Sequence, residues 1–302
     1  MEGILPLWKE KGMTSHDCVY KLRKILGTKK VGHSGTLDPD VEGVLPIAVG
    51  KATKVLEYLV ESGKVYEGEI TLGYSTSTED SSGELVEQKS VEHCFSLEEI
   101  DQVISSFEGE ITQTPPMYSA VKVNGRRLYE YARAGKTVER PSRNVQIYGY
   151  QRTSEVQYDH DKKTASFTFT VSCSKGTYIR TLAVDTGKEL GFPAHMSNLV
   201  RTESGGYKAS EALTLKQVKE SESPEDLLKP LESALQVFPS YPLNDTEWSN
   251  VKNGSLIEKE LLPAELNYPA VFYYQNKAVA IYNTHPKKPL YIKPVKVLRT
   301  EM

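Results

Sequence analysis

Residues 165–190 read ASFTFTVSCSKGTYIRTLAVDTGKEL, and the change of period inside this stretch decides the fold. Phe167, Phe169, Val171 and Cys173 occupy alternate positions, the two-residue period of a half-buried strand. From about Tyr178 the apolar positions shift to Ile179, Leu182, Ala183, Thr186 and Leu190, which is helical spacing, and Gly191 with Pro193 ends the run. Arg180 stands at the junction, where a guanidinium can be held rigidly and paired with a carboxylate from another segment. A capping or surface arginine is the competing reading.

The same two periods recur on either side, in irregular order. Val19, Leu22, Ile25 and Leu26 form one side of a helix that begins at Ser15 and ends at Gly27. Ala52, Val55, Leu56 and Leu59 predict another. Tyr66, Gly68, Ile70 and Leu72 alternate with polar residues as in a strand, and a polar turn then leads to a further strand. Ser96 and Glu99 make a capping box for a helix carrying Leu97, Ile100, Val103, Ile104 and Phe107. Without the regular strand-helix alternation of a doubly wound sheet, this order implies a mixed, largely antiparallel α+β fold. Near Phe238 the texture changes. AVFYYQNKAVAIYN predicts two strands joined at Gln275 and Asn276, and PLYIKPVKVL a last, proline-interrupted edge strand. The expected organisation is a catalytic-sized domain over residues 1–238 and a small β-rich module over residues 239–302.

Composition narrows the class. Of 302 residues, 38% are hydrophobic and 25% charged, and no apolar run reaches the roughly 18 residues of a membrane span. The N-terminus has no secretory pattern, and Cys18, Cys94 and Cys173 are odd in number and far apart, so a reducing cytoplasm is expected. Six histidines without ligand spacing, His16, His33, His93, His160, His195 and His285, argue against a metal site. The net charge of -3 does not itself suggest a nucleic acid, but its distribution is uneven. Glu61 to Glu110 holds thirteen acidic residues against Lys64 and Lys89, whereas Val121 to Tyr150 holds seven basic residues against Glu130 and Glu139. Further basic clusters lie at Lys21, Arg23, Lys24, Lys29 and Lys30, and at Lys287, Lys288, Lys293, Lys296 and Arg299. Such clusters are compatible with a polyanion lying across one face, and equally with solvated surface. Within the basic block, around residues 112–145, Tyr118, Tyr129 and Tyr131 interleave with arginines, a composition suited to clamping RNA or to a surface insertion.

The remaining motif is VGHSGTLDPDVEGVLPIAVGKATK at Val31 to Lys54. Its glycines permit close approach, and Pro39 keeps Asp38 on extended or turn backbone. A phosphate-binding loop fails, because Gly50 and Lys51 lack both the upstream glycine and the following hydroxyl. Asp38 and Asp40 are too close in sequence to serve as opposed glycosidase carboxylates. Alone, Asp38 reads as a turn cap.

Five blocks in order change that reading: GILPLWKEKGMTSHDCVYKLRK, KKVGHSGTLDPDVEGVLPIAVGKATK, KVYEGEITLGYSTSTED, SKGTYIRTLAVDTGKELG and AHMSNLVRTESGGY. Together, over about residues 3 to 240, they resemble the TruB family, bacterial tRNA pseudouridine synthases that modify the T-loop uridine at tRNA position fifty-five. The resemblance implies a pseudouridine synthase fold and a cofactor-free isomerase. It implies that Asp38 is the catalytic aspartate, Tyr66 the tyrosine stacked on the target base and Arg180 the arginine paired with that aspartate. Leu199 falls on an apolar pocket residue, and His33 on the histidine set against RNA near the flipped base. The C-terminal module resembles a PUA domain that meets the tRNA acceptor stem. No membrane and no obligatory protein partner are implied, and a monomer is expected. The family's first block has proline after its lysine, whereas here Glu10 follows Lys9, which bears on the rigidity of that loop. Ser34 stands where threonine is common. Whether Asp38 attacks C1′, attacks C6 or removes the C2′ proton stays open. Two other readings are a non-catalytic tRNA-binding or folding protein on the same scaffold, and a relative directed by a guide RNA and partner proteins.

Overall fold

The structure, a computed structural model, describes residues 1–92 and 94–302; His93 lies outside the described residues. Residues 1–39, 44–60 and 205–302 build one unit, and residues 40–43 and 61–204 the other.

The first unit opens with β1 (Gly3–Lys9), α1 (Ser15–Ile25), β2 (Val31–His33), β3 (Glu42–Val49) and α2 (Leu56–Glu61). β2 runs antiparallel to β3, pairing Val31 with Val49 and His33 with Ile47. A capping box starts α1: the Thr14 hydroxyl accepts from the Asp17 N–H at 3.1 Å while the Asp17 carboxylate accepts from the Thr14 N–H at 2.8 Å. Ser15 is the first helical residue, as read from the sequence, and Thr14 is the cap. The Ser15 hydroxyl reaches the loop that carries Leu37. The expected helix at Ala52 begins as a 3-10 turn, Gly50–Val55, and becomes α-helical only at Leu56.

The second unit contains β4 (Lys64–Leu72), β5 (Tyr74–Thr76), β6 (Leu85–Gln88), α3 (Leu97–Ser106), β7 (Gly109–Gln113), β8 (Lys122–Val123), β9 (Arg126–Arg127), α4 (Leu128–Arg133), β10 (Arg143–Arg152), β11 (Gln157–Asp159), β12 (Thr164–Cys173), α5 (Ile179–Glu189) and β13 (Ala194–Ser204). Its sheet runs β13-β4-β12-β10-β7, antiparallel at every step, with β11 added beside β12. Glu42 and Gly43 add a short parallel pairing to Val200 and Arg201, which makes the sheet mixed. Gly43 is required there, since its φ is +132° and a Cβ would lie 2.3 Å from the Arg201 carbonyl oxygen. The alternation read from β4 and β12 holds: Tyr66, Ile70, Leu72, Phe167, Phe169, Val171 and Cys173 are all buried. α5 packs chiefly on β13. Ser96 caps α3 through the Glu99 N–H at 3.1 Å, which is one half of the expected box.

The first unit resumes with β14 (Tyr207–Lys208), α6 (Leu215–Glu220), β15 (Ser240–Pro242), α7 (Asp245–Val251), β16 (Ile257–Glu258), β17 (Ala270–Tyr274), β18 (Lys277–Thr284) and β19 (Tyr291–Val297). The last five strands form a sheet in the order β15-β17-β18-β19-β16. Gln275 and Asn276, at φ +47° and +61°, make the tight turn between β17 and β18. β19 was expected at an edge, yet β16 covers Tyr291 and Ile292. Pro294 is accommodated further along, in the part of β19 that β16 does not cover.

Both faces of this sheet are buried. Phe272, Tyr282 and Ile292 pack with Trp248 and Val251 on one side. On the other, Val271, Ile281 and Leu298 share a core with Ile4, Val44, Val55, Leu59, Leu231 and Leu235. Arg299, counted above in a basic surface cluster, is buried instead. It donates to Glu232 at 2.7 Å and pairs with Glu2. Lys296 likewise pairs with Glu57 at 3.2 Å, so part of that cluster serves internal pairing.

Candidate active site

Asp38 lies half-buried on a loop of the first unit, and the residues around it are fixed from three sides. The Ser15 hydroxyl accepts from the Leu37 N–H at 2.9 Å. The Pro39 carbonyl accepts from the Gly12 N–H at 2.9 Å and from the Lys9 ammonium at 3.2 Å. Lys9 is fully buried, and its Nζ also donates to the Met13 carbonyl at 2.7 Å and the Glu10 carbonyl at 3.1 Å. Three carbonyls thus replace the water a lysine normally keeps. The loop that lacks the family's proline is therefore braced by its lysine. The carboxylate of Asp38 is carried between two anchored neighbours, Leu37 and Pro39. His33 is half-buried at the end of β2, with its Nδ1 3.3 Å from the Gly35 N–H. Asp40 is exposed.

In the second unit Tyr66 on β4 and Leu199 on β13 share one face of the sheet. Register pairs Tyr66 with Arg201 and Gly68 with Leu199, so the two side chains are diagonal neighbours. Both are buried. Arg180, in the first turn of α5, is 6% exposed. It donates to the Thr78 carbonyl at 2.9 Å and the Tyr118 carbonyl at 3.0 Å, and its Nη1 stands 3.8 Å from the Asp80 carboxylate. Asp80 is itself held. Its Oδ1 accepts from the Thr78 hydroxyl at 2.6 Å, the Ser82 hydroxyl at 2.6 Å and the Ser82 N–H at 3.0 Å. The segment STSTEDSS, read from sequence as a polar turn, is the bracket of Arg180. Neighbouring Glu79 adopts φ +63°, accepts from the Thr181 hydroxyl at 3.0 Å, and has its carboxyl pushed up by burial.

The basic insertion between β7 and β10 has the aromatic interleaving read from sequence. Arg126 lies over Tyr131 at 5.4 Å, while Arg127 and Arg133 lie over Tyr129 at 5.8 and 5.3 Å. Asn124 and Gly125 form its turn, at φ +50° and +81°. Among the described residues no group of three or more His, Cys, Asp or Glu side chains could hold a metal ion, and no helix is long and apolar enough to cross a membrane.

Two family models divide the chain. That for the N-terminal domain of TruB family pseudouridylate synthases matches residues 23–179, and that for the tRNA pseudouridylate synthase B C-terminal domain matches residues 180–236. The chain belongs to the TruB family. It is 51% identical to tRNA pseudouridine synthase B of Bacillus pumilus, over 99% of this chain and 98% of that one. It is 54% identical to the protein of the same name from Streptococcus gordonii, over 98% and 99%. The fold matches a chain of the crystal structure of a Cbf5-Nop10-Gar1 complex with a TM-score of 0.74 at 28% identity, over 98% of this chain and 85% of that chain. As a TruB family member the chain is an isomerase, a pseudouridine synthase.

Two outcomes follow from the second unit's geometry. Asp80→Asn keeps the shape and the Thr78 and Ser82 contacts but removes the charge facing Arg180. Turnover should fall about tenfold, the effect of roughly 1.4 kcal/mol, with RNA affinity unchanged in a filter-binding assay. Equal loss of affinity would place Asp80 in RNA binding instead. Lys64, at the start of β4, is buried across from Cys173 and Ser204, and donates to the Ser62 carbonyl at 3.2 Å. Burial first, and the Arg201 charge second, push its ammonium down to about 8, while burial pushes the Cys173 thiol up to about 11. Between about pH 8 and the ordinary lysine value the unfolded chain holds a proton that the folded chain has released. Stability therefore rises with pH across that window, and the cost of the buried ammonium is fully present below it. Urea unfolding should show wild type gaining about 3 kcal/mol relative to Lys64→Met between pH 7 and pH 10.5. A pH-independent difference would contradict this.

Proposed function

We propose that the chain converts uridine at position fifty-five, in the T loop of tRNA, to pseudouridine, in the cytoplasm and without a cofactor. The observation that carries this reading is end-to-end similarity to proteins named tRNA pseudouridine synthase B, at 51% identity or above over 98% or more of the chain. The free thiols Cys18, Cys94 and Cys173 support a reducing compartment.

The reaction breaks the N1–C1′ bond and forms C5–C1′. N1 gains a proton and C5 loses one, so no oxidant and no outside group is needed. A base inside a stacked T loop must first be flipped out, at a cost of a few kcal/mol, into a pocket that reads it. In this proposal Tyr66 supplies the flat wall and Leu199 the apolar one, and His33 meets the RNA near the vacated place. Asp38 acts as nucleophile or base, for which it must be ionised, and Arg180 is the cation that favours its anion. The anchored neighbours of Asp38 suit that task, because a nucleophile on a mobile loop forfeits orientation. The arginine-tyrosine insertion clamps the T arm, and residues 239–302, a PUA-like module distinct from a catalytic region of residues 1–238, meet the acceptor stem. The chain acts alone, as a monomer.

Mapping pseudouridine in an unmodified tRNA transcript incubated with the purified chain tests the reading. One modified site, at position fifty-five, is expected. Salt-dependent binding with no isomerisation would leave a tRNA-binding protein on the same scaffold.

A further inference from the structure

The insertion leaves the sheet after Gln113 and returns at Arg143, and these two residues face each other in the β7–β10 register. Both hold Tyr178, two residues before Arg180. The buried Gln113 side chain accepts from the Tyr178 N–H at 2.9 Å and donates to the Tyr178 carbonyl at 3.2 Å. The Arg143 guanidinium lies over the Tyr178 ring, 4.8 Å from its centroid. Gly176, at φ +81°, makes room for it, since a Cβ there would come within 3.0 Å of Nη1. Other arginines of this unit find acceptors: Arg180 as described, Arg140 at the Pro115 carbonyl, Arg152 at Asp101. Among the described residues the Arg143 side chain has no hydrogen bond or ion pair, and its Nε is shielded from solvent without a partner. A half-buried, stacked guanidinium with unused in-plane donors is preorganised for a planar-edge acceptor such as a phosphate.

We propose that Arg143 is a phosphodiester-binding residue for the RNA substrate, held flat by Tyr178 at the root of the basic insertion. The inference rests on the chain being an RNA-modifying synthase. A phosphate is favoured over a carboxylate because the surrounding block, Val121 to Tyr150, carries seven basic residues against two acidic ones. Capture of the backbone here bears on Arg180 through two routes, the Tyr178 main chain and the Tyr118 carbonyl of the insertion, to which Arg180 donates.

The test compares wild type, R143Q and R143K on unmodified tRNA transcript, with the dissociation constant measured across potassium chloride concentrations. R143Q should bind about tenfold more weakly and lose about one from the slope of log affinity against log salt. R143K, which keeps one charge, should keep the slope. R143M, an uncharged, unbranched side chain, gives the same comparison where R143Q fails to fold. An unchanged slope in the neutral variants, or equal loss in R143K, overturns the proposal in favour of a packing role. Wild-type isomerisation in the same tubes separates the two ideas: its absence removes the functional reading, its presence with an unchanged slope removes only this one.

Discussion

Asp38→Asn should release tritium from [5-³H]uridine tRNA on the order of 10⁴-fold more slowly than wild type, or worse, while binding tRNA within about threefold of it. Asparagine has nearly the shape of aspartate and no negative charge. Bonds that fix the loop on either side of it run through Leu37, Pro39, Lys9 and Ser15, and none of these needs the Asp38 charge. The variant keeps those bonds and loses the anion, and an unfolding midpoint in urea equal to wild type shows that a fall in rate reports chemistry rather than folding. Asp40→Asn is the control, because that carboxylate two residues on is exposed and has no place in the mechanism. Turnover retained by Asp38→Asn, or lost equally in both variants, would sink the assignment of Asp38.

How much of this was legible beforehand differed by residue. Strand and helix periods are local, so β4, β12 and α5 could be read to within a residue or two from Tyr66 to Leu72 and from Phe167 to Leu190. Lys9 and Ser15 were named as a motif residue and a helix start, but their work on the Asp38 loop joins residues 22 and 30 apart through main-chain atoms. No residue-type pattern encodes a carbonyl acceptor. The bracket of Arg180 was hidden for the same reason: Thr78 and Tyr118 offer backbone oxygens from 102 and 62 residues away. Asp80 did leave a trace, an acid flanked by hydroxyls in TSTEDSS, which composition alone assigns to solvent. Arg299 misled in the opposite sense, since a charge near a chain end reads as surface until Glu2 and Glu232 are found beside it.

Arg180→Met should lose about 10³ in kcat and also unfold at lower urea, because removing one member of a buried charged network costs about 3–5 kcal/mol. The stability loss arises inside the second unit, where the Thr78 and Tyr118 carbonyls and the Asp80 carboxylate lose their donor. It therefore says nothing about Asp38. Arg180→Lys separates the two effects. An ammonium keeps the charge but offers no fork, so it cannot serve two carbonyls and a carboxylate at once, and an intermediate loss of about 10–100-fold is expected. The decisive reading is the pH profile. If the guanidinium favours the Asp38 anion, its removal raises the carboxyl's pKa, and the acid limb of kcat moves to higher pH in Arg180→Met and less in Arg180→Lys. An acid limb that stays in place while kcat falls would assign Arg180 to holding the insertion at Tyr118, with no influence on the ionisation of Asp38.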